Sequence, residues 1–360
     1  MRDAKPSDRQ HEQGASPAAP VTARGRRGSG RVTLNDVAAH AGVSAITVSR
    51  ALNQPDAVSA RLRERIATAI SALGYVPNRM AGSLASATNP MVVMIVPSLD
   101  NSVFIEVVDA VQTTLEAAGY PLLLGNTGYD LDREERLVRS LLGWSPAAVI
   151  IAGLQHRAAT RALLARAGGP VVEIMELGAD AIDMNVGLSH HQAGAAMADH
   201  LIARGYRKIG FAGTRLDHDL RAGQRLAGLR DALASNGLRL HCLVADLAAS
   251  ALSTGELLFE RILAEHPDTE AVFFANDDLA AGAILAAQRQ GIPVPKRLAI
   301  AGFNGLELGE QICPALTTVR SPRRRIGGVA AELVLQTLTG KSPKQRQIDL
   351  GFELLIRDST

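Results

Sequence analysis

The chain has 360 residues, of which 47% are hydrophobic and only 3% are aromatic. This length allows two or three domains, and the apolar content suffices for buried cores built from aliphatic side chains. With two cysteines, Cys242 and Cys313, and a net charge of +2, the sequence excludes a disulfide framework and offers no paired metal-ligand spacing.

The sequence contains no signal for membrane insertion or export. No run of about 18 apolar residues is present, and the N-terminal stretch MRDAKPSDRQHEQGASPAAP is polar. We therefore expect a cytoplasmic protein without membrane attachment.

The charges are distributed unevenly along the chain. Residues 1–86 carry 12 Lys and Arg against 6 Asp and Glu, whereas the remainder carries 26 against 30. A basic N-terminal part on a mildly acidic body suits contact with phosphates at one end of the molecule. Residues 1–31 are rich in Gly, Ser, Ala, Pro and Arg, a composition that predicts a disordered basic tail.

Short helical segments follow the tail. Thr33 is a good N-cap before LNDVAAHA, Gly42 provides a break, and Ser44 caps the next segment, AITVSRALN. A third helical segment, SARLRERIATAISALG, ends at Gly74. The pattern predicts an all-α head.

Residues 34–53 have the pattern of two short helices joined by a tight turn, which can place the second helix in the major groove of DNA. Arg50 can bond a guanine edge with both arms of its guanidinium, and serine and threonine hydroxyls can bond phosphate or base. The alternative is a plain helical hairpin with a solvated arginine. The exposed face of the second helix is expected to present Ala45, Ile46, Thr47, Ser49, Arg50 and Asn53.

From Met91 onward, strands and helices alternate, beginning with MVVMIVPS and VFIEVVDAVQTTLEAAG. This alternation is typical of parallel sheets covered by helices. About ten such units are too many for one small sheet. The sequence therefore predicts an α/β body of two doubly wound parallel-sheet subdomains, with a ligand in the cleft beyond the carboxyl ends of the strands.

The segments TLNDVAAHAGVSAITVSRALN, VSARLRERI and LGYVPNRMAGSLA closely resemble the head of the lactose-repressor (LacI/GalR) family of regulators. The resemblance continues through VPSLDNSVF, VVEIME, RLAG, FFANDDLAAGAI, AIAGFNG and PALTTVRSP, and covers about residues 32–355. It implies a head that reads operator DNA and a periplasmic-binding-protein-like core whose ligand controls DNA binding.

The resemblance also implies domain boundaries. The tail occupies 1–31, the helix-turn-helix domain 32–77, a hinge helix with its linker 78–90, and the effector-binding and dimerisation core 91–360. Within the core, the first subdomain is expected over 91–187 and 318–345, and the second over 188–317 and 346–360.

Further DNA-contacting residues are carried over from the family. Leu84 would be the wedge of the hinge helix, inserted between base pairs in the minor groove. Besides the second helix, the expected contacts are Thr33, Ser44, Tyr75, Asn78, Arg79 and Leu84.

For the effector, the resemblance implies contacts from Ser98, Asn101, Phe104, Arg225, Asn276 and Asn304. The Arg225 guanidinium suits a carboxylate or vicinal hydroxyls. Asn304 stands where many members carry an acidic residue, and an aromatic expected near residues 246–250 is missing. With Arg221 nearby, these departures favour a linear or anionic ligand. Because LDREERLVRSLLGW, PVVEIMEL and GTRLD most resemble the gluconate-utilisation repressors, gluconate or a keto-gluconate is the expected effector.

An enzyme and a transport-associated binding protein are the alternative classes. The pairs His190–His191, Glu134–Glu135 and Asp277–Asp278 point to different faces of their elements and make poor catalytic or metal sites. The two histidines are expected to open a helix and face solvent, and no cofactor is expected. The attached head argues against a binding protein.

One recognition helix reads about half of an operator, so a homodimer is expected. Arg323–Arg325 resembles a nucleic-acid patch, but a crossover strand with a solvated face is the favoured interpretation.

Overall fold

The computed structural model describes residues 32–77, 89–99 and 102–360. The chain divides into two compact units, Met1–Gly82 and Ser83–Thr360, which we call the head and the body. The predicted tail and the predicted hinge through residue 88 lie outside the described residues. So do four candidate site residues: Asn78, Arg79, Leu84 and Asn101.

The described residues of the head, 32–77, form three α-helices with a 3-10 turn before the last. They are α1 (Leu34–Ala41), α2 (Ala45–Asn53) and α3 (Ala60–Leu73), with the turn at Pro55–Ala57. Their apolar faces pack into one small core, whose buried members are Val37, Ala38, Ala41, Val48, Ile66 and Ala69. The predicted helix-turn-helix is confirmed.

Local capping explains where these helices begin and end. The Thr33 hydroxyl accepts from the backbone amide of Asp36, and the Asp36 carboxylate accepts from the backbone amide of Thr33 at 2.8 Å. Gly42 ends α1 with a φ of 62°, a left-handed conformation that glycine adopts without strain. Ser44 then caps α2 by accepting from the amide of Thr47.

The body consists of twelve strands and nine helices among the described residues. The strands are β1 (Asn89–Val96), β2 (Leu122–Asn126), β3 (Pro146–Ala152), β4 (Val171–Ile174), β5 (Met184–Gly187), β6 (Ile209–Thr214), β7 (Leu243–Asp246), β8 (Ala271–Phe274), β9 (Ala299–Asn304), β10 (Thr317–Arg320), β11 (Gln347–Asp349) and β12 (Glu353–Leu355). The helices are α4 (Ser102–Ala117), α5 (Leu131–Leu142), α6 (Ala158–Leu164), α7 (His190–Ala203), α8 (Leu220–Ser235), α9 (Leu252–Glu265), α10 (Asp277–Arg289), α11 (Leu308–Gln311) and α12 (Arg323–Leu338).

The strands form two six-stranded sheets with the same internal order. The first sheet runs β11-β5-β4-β3-β1-β2 and the second β12-β10-β9-β8-β6-β7. Every pair is parallel except β10 with β12, which is antiparallel. The predicted pair of doubly wound parallel-sheet subdomains is therefore confirmed.

The chain passes between the sheets three times, after β5, β10 and β11. β10 belongs to the second sheet and β11 to the first, so the expected boundaries before residues 318 and 346 move to after Arg320 and after Asp349. β1 begins at Asn89, two residues before the expected start of the core. β10, β11 and β12 have only three or four residues each, so strand pairing rather than local sequence determines the sheet to which each belongs.

Two interpretations of local segments were wrong. Arg323 opens helix α12 instead of lying in a strand, and its side chain is buried. His190 opens α7 as expected but is buried, whereas its neighbour His191 is exposed. Helix α12 packs against α4 and the first sheet, which places its first turn inside the body.

Helices α7 and α8 approach each other closely because glycine stands at both contacts. A Cβ on Gly228 would lie 1.8 Å from the His191 carbonyl oxygen, and one on Gly194 would lie 2.0 Å from that of Arg225. No side chain fits at either position. The contact sets the distance between His190, at the start of α7, and the α8 arginines.

Most buried side chains of the body core are aliphatic, and four phenylalanines, Phe211, Phe259, Phe273 and Phe274, are among the largest. Among the described residues, no helix is long and apolar enough to cross a membrane.

Candidate functional site

The exposed face of α2 presents the side chains that could contact DNA. Ile46 is 71% exposed, and Arg50 and Asn53 are exposed. Arg50 has no ion-pair partner among the residues that the structure describes, so its guanidinium is available to a ligand. The Asn53 amide donates to the Ser49 hydroxyl at 3.3 Å, which joins two of the predicted contacts on this face.

Other predicted DNA contacts have structural partners within the head. Thr33 is committed to the cap of α1, and the Ser44 and Thr47 hydroxyls lie 2.8 Å apart at the start of α2. Ala45 and Tyr75 are half-buried against the head core.

In the body, the carboxyl ends of the two sheets face a cavity of about 150 Å³. Both subdomains line it. The first contributes Thr127, Tyr129, Glu134, Gly153, Gln155 and Glu176, and the second contributes Asp217, His218, Leu220 and Arg221. A smaller cavity of about 80 Å³ shares Tyr129 with it and is lined by the predicted residues Ser98 and Asn276. We call the two together the cleft.

Arg221 is the arginine that lines the larger cavity. Its guanidinium carbon lies 5.7 Å from the ring centroid of Phe104, a predicted effector residue that is itself buried. Its Nε is 3.9 Å from Asp219. Burial opposes the charge, but Asp219, Tyr129 and Glu176 outweigh it and raise the pKa of Arg221, so the group stays cationic.

Arg225, the arginine expected to grip the ligand, is buried behind this wall. Its Nη1 donates to His190 Nδ1 at 2.9 Å, its Nη2 donates to the Ala275 carbonyl at 2.8 Å, and its guanidinium carbon lies 4.1 Å from the Phe303 ring centroid. Its Nε has no hydrogen-bond partner within the described part of the chain. Burial lowers the pKa of Arg225 to about 10, which still leaves it charged at neutral pH.

His190 fixes the geometry of this buried arginine. Burial, followed by the charge of Arg225, lowers the pKa of His190 well below its usual value, so the ring is neutral. Its Nε2 donates to the Met175 carbonyl at 3.0 Å, which leaves Nδ1 as the acceptor for Arg225. The ring thus connects the end of β4 in the first subdomain to α8 in the second.

The two predicted asparagines have different positions. The Asn276 side chain accepts from the Leu279 amide at 3.1 Å, which caps α10, and bonds Ser250 at the edge of the smaller cavity. Asn304 is buried with a φ of 124°, and its carbonyl accepts from Arg323. Arg323 also pairs with Glu106 at 2.8 Å, so it joins the first subdomain to the end of β9 in the second.

Sequence reasoning missed Tyr129, Glu134, Gln155 and Glu176. The absent aromatic near residues 246–250 suggested that the cleft has no aromatic platform for a ring ligand. Tyr129 lines the cleft from the first subdomain, with a left-handed φ of 63°. Tyr129, Gln155 and Glu176 each follow the end of a strand by two or three positions, and that position was the available signal, whereas Glu134 lies in the first turn of α5.

Comparisons with known proteins cover both parts of the chain. A family model described as "Bacterial regulatory proteins, lacI family" matches residues 33–78, and one described as "Periplasmic binding protein-like domain" matches residues 198–360. The chain is 40% identical to the HTH-type transcriptional regulator GntR of Pseudomonas aeruginosa over 335 residues, which cover 93% of this chain and 97% of that relative.

Two solved structures extend the likeness to the fold. A LacI-family transcriptional regulator from Silicibacter pomeroyi superposes with a TM-score of 0.87 at 39% identity, covering 91% of this chain and 99% of that one. The Lac repressor dimer bound to operator and the anti-inducer ONPF superposes with a TM-score of 0.78 at 25% identity, also covering 91% and 99%.

A helix-turn-helix head joined to a two-sheet body with a polar cleft defines a DNA-binding transcriptional regulator with a ligand-binding domain. Similar proteins that match nearly the whole chain are named transcriptional regulators, and this chain is a regulator of the same kind. It belongs to the lacI family of bacterial regulatory proteins.

Proposed function

We propose that the protein is a cytoplasmic repressor that binds operator DNA as a homodimer, and that a sugar acid such as gluconate or a keto-gluconate binds in its cleft. We infer the ligand class from Arg221, which places a cation on the wall of a cavity of about 150 Å³ between the subdomains. A guanidinium recognises a carboxylate with two parallel hydrogen bonds.

The remainder of the cavity wall supports a ligand that also carries hydroxyls. Thr127, Gln155 and Glu134 line the same space and present hydrogen-bonding side chains. A neutral sugar would leave the Arg221 charge without a partner from the ligand, and an acid without hydroxyls would leave these groups unmatched.

Homodimer formation is supported by the geometry of operator recognition. A single α2 spans about half of an operator, and two heads on one dimer read two half-sites. The related Lac repressor is a dimer on its operator. In this chain the edge strands β2 and β7 carry the exposed Leu124 and Leu243, with the exposed Leu247 just after β7, and such apolar edges favour pairing with a second copy.

The ligand would act by binding one arrangement of the subdomains more tightly than the other, since only such a difference in affinity shifts a conformational equilibrium. Cleft residues come from both subdomains, which are joined by three short crossovers. A bound ligand therefore stabilises one relative orientation of the two sheets.

A gel-shift experiment tests the proposal. The DNA upstream of the protein's own gene is titrated with protein alone, with gluconate, with a keto-gluconate, and with a neutral sugar such as glucose. We expect a specific shift that a sugar acid changes and glucose does not. Release would identify an inducer and a strengthened shift a corepressor. A response to glucose alone would contradict the ligand class, and failure to bind any DNA would contradict the proposed repressor.

A further inference from the structure

Three ionisable side chains lie in a row beside the larger cavity: Glu134 of α5, His156 after β3, and Glu173 of β4. His156 Nδ1 donates to Glu134 at 2.7 Å, and His156 Nε2 lies 3.4 Å from Glu173. The side chains of His156 and Glu173 are 0% exposed and that of Glu134 is 7% exposed. Burying three ionisable groups costs desolvation free energy unless the groups pair with one another.

The row retains negative charge. Burial alone would lower the pKa of His156, but its hydrogen bond to Glu134 and the nearby charges of Glu134 and Glu173 outweigh burial and raise the pKa to about 9. The imidazolium therefore balances one of two carboxylates. The second Glu173 oxygen accepts from the Ile182 amide at 2.5 Å, which anchors this end of the row in the first sheet.

Of these three residues, only Glu134 lines the cavity. One of its oxygens accepts from His156, and within the described residues the other oxygen has no hydrogen bond and is not sealed from solvent. Glu176 on the same wall differs, because its two oxygens accept from the Leu154 amide at 2.8 Å and from Gln224 at 2.9 Å. Among the carboxylates that the first subdomain contributes to the described lining of the cavity, the open acceptor is therefore on Glu134, while the exposed Asp217 lines the cavity from the second subdomain.

We propose that Glu134 accepts hydrogen bonds from the hydroxyl end of a sugar-acid effector, and that His156 and Glu173 are positioning residues that hold its carboxylate. This inference rests on the proposed function, because it takes the ligand carboxylate to be bound by Arg221. Arg221 and Glu134 line one cavity from opposite subdomains, so a linear polyhydroxy acid bound to both joins the subdomains. On this proposal a three-carbon acid bound to Arg221 does not contact Glu134, and the pair selects ligands by chain length.

Titration calorimetry on the full chain tests the inference with gluconate and with the three-carbon acid glycerate. The variant Glu134→Gln keeps the shape of the side chain and removes its charge. We expect it to weaken gluconate binding by about 10- to 100-fold, the usual range for a hydrogen bond to a charged group, and to leave any glycerate binding unchanged. Glu135→Gln is the matched control, because Glu135 pairs with Arg139 on the surface of the same helix, and it should bind both acids as wild type does.

The positioning role has its own measurement. His156→Asn should lose gluconate affinity to a similar extent, and the double variant Glu134→Gln/His156→Asn should be no weaker than either single variant, since both changes remove one interaction. If the losses of gluconate affinity in the two single variants add up in the double variant, the row has only a structural role. The same conclusion follows if His156→Asn unfolds more easily but binds gluconate normally. If His156→Asn does not fold, the Glu134→Gln comparison still decides the hydroxyl contact.

The outcomes separate this inference from the proposed function. Wild-type protein that binds gluconate, with Glu134→Gln indistinguishable from Glu135→Gln, overturns the role of Glu134 and leaves the sugar-acid repressor standing. Wild-type protein that binds no sugar acid overturns the proposed ligand class, and the inference with it.

Discussion

At the scale of single residues, the charged side chains in and beside the cleft are fixed by hydrogen bonds or ion pairs with neutral or oppositely charged neighbours. Arg225 is held by a neutral histidine and a backbone carbonyl, whereas His156 is held between two carboxylates. Both arrangements are buried, so their electrostatic interactions are stronger than those of surface pairs. The exposed Arg50 on α2 has no such partner among the described residues, which suits contact with another molecule.

Arg50→Ala should weaken binding to the specific operator by about 10- to 100-fold while changing binding to unrelated DNA little, because a bidentate contact to guanine contributes about 1–3 kcal/mol of discrimination. Fluorescence anisotropy with operator and scrambled duplexes at one salt concentration provides the measurement. Thermal unfolding of the head should not change, since Arg50 makes no ion pair there. Equal losses on both duplexes would assign Arg50 to phosphate contact instead.

His156 should make stability depend on pH. Its pKa rises from 6.5 to about 9 in the folded state, so its stabilising contribution is fully present below pH 6.5 and is lost as the pH rises through about 9. The shift corresponds to at most about 3 kcal/mol. Urea unfolding of wild type and His156→Asn at pH 6.5, 8 and 9.5 would show a decline in wild type that the variant lacks. Parallel declines in both proteins would mean that another group titrates.

At the scale of elements, the close contact between α7 and α8 sets the position of the cleft arginines. Both Arg221 and Arg225 lie on α8, and His190 lies at the start of α7. Because glycine at two positions lets the backbones touch, any side chain there separates the helices. The cleft wall therefore depends on residues that contact no ligand.

Gly228→Ala should destabilise the body by about 1–3 kcal/mol or more, because the new methyl group would lie 1.8 Å from the His191 carbonyl oxygen and force the helices apart. Gly223→Ala is the matched control in the same helix, where the nearest atom would be 3.9 Å away. Its effect should be neutral or a gain of about 0.5–1 kcal/mol from helix propensity. Chemical denaturation of both variants gives the comparison, and equal stabilities would show that the helices adjust freely.

At the scale of the whole molecule, the chain combines a small helical unit with a large two-sheet unit, each with its own apolar core. Units with separate cores unfold as separate cooperative transitions unless an interface couples them. Because the head and the body have separate cores, a ligand that binds in the cleft should stabilise the body directly.

Calorimetric scans of the full chain should show two transitions. Gluconate at about a hundred times its dissociation constant should stabilise the body by about 2.7 kcal/mol and raise its transition temperature. The transition of the head should stay in place without operator DNA. A gluconate-dependent shift of the head transition alone would contradict a cleft in the body, and one shared transition would show that the units unfold together.

Much of this architecture is local in origin and could be predicted from the sequence alone. Thr33, Gly42 and Ser44 define the helix-turn-helix because caps act over three or four residues. The apolar strands beside amphipathic helices determine two parallel-sheet subdomains, since each element must bury its apolar face. Arg221 was noted from the sequence as a second arginine near Arg225.

Only the tertiary structure decided to which sheet β10, β11 and β12 belong, because the residue pattern of such short strands does not specify a pairing partner. It also decided that Arg323 begins a buried helix and that Arg225 lies behind the cavity wall. Glu134, His156 and Glu173 come from three separate segments, and their shared burial depends on how α5 and β4 pack beside the loop after β3. Contacts between distant segments depend on packing, and packing has no signature in any single stretch of sequence.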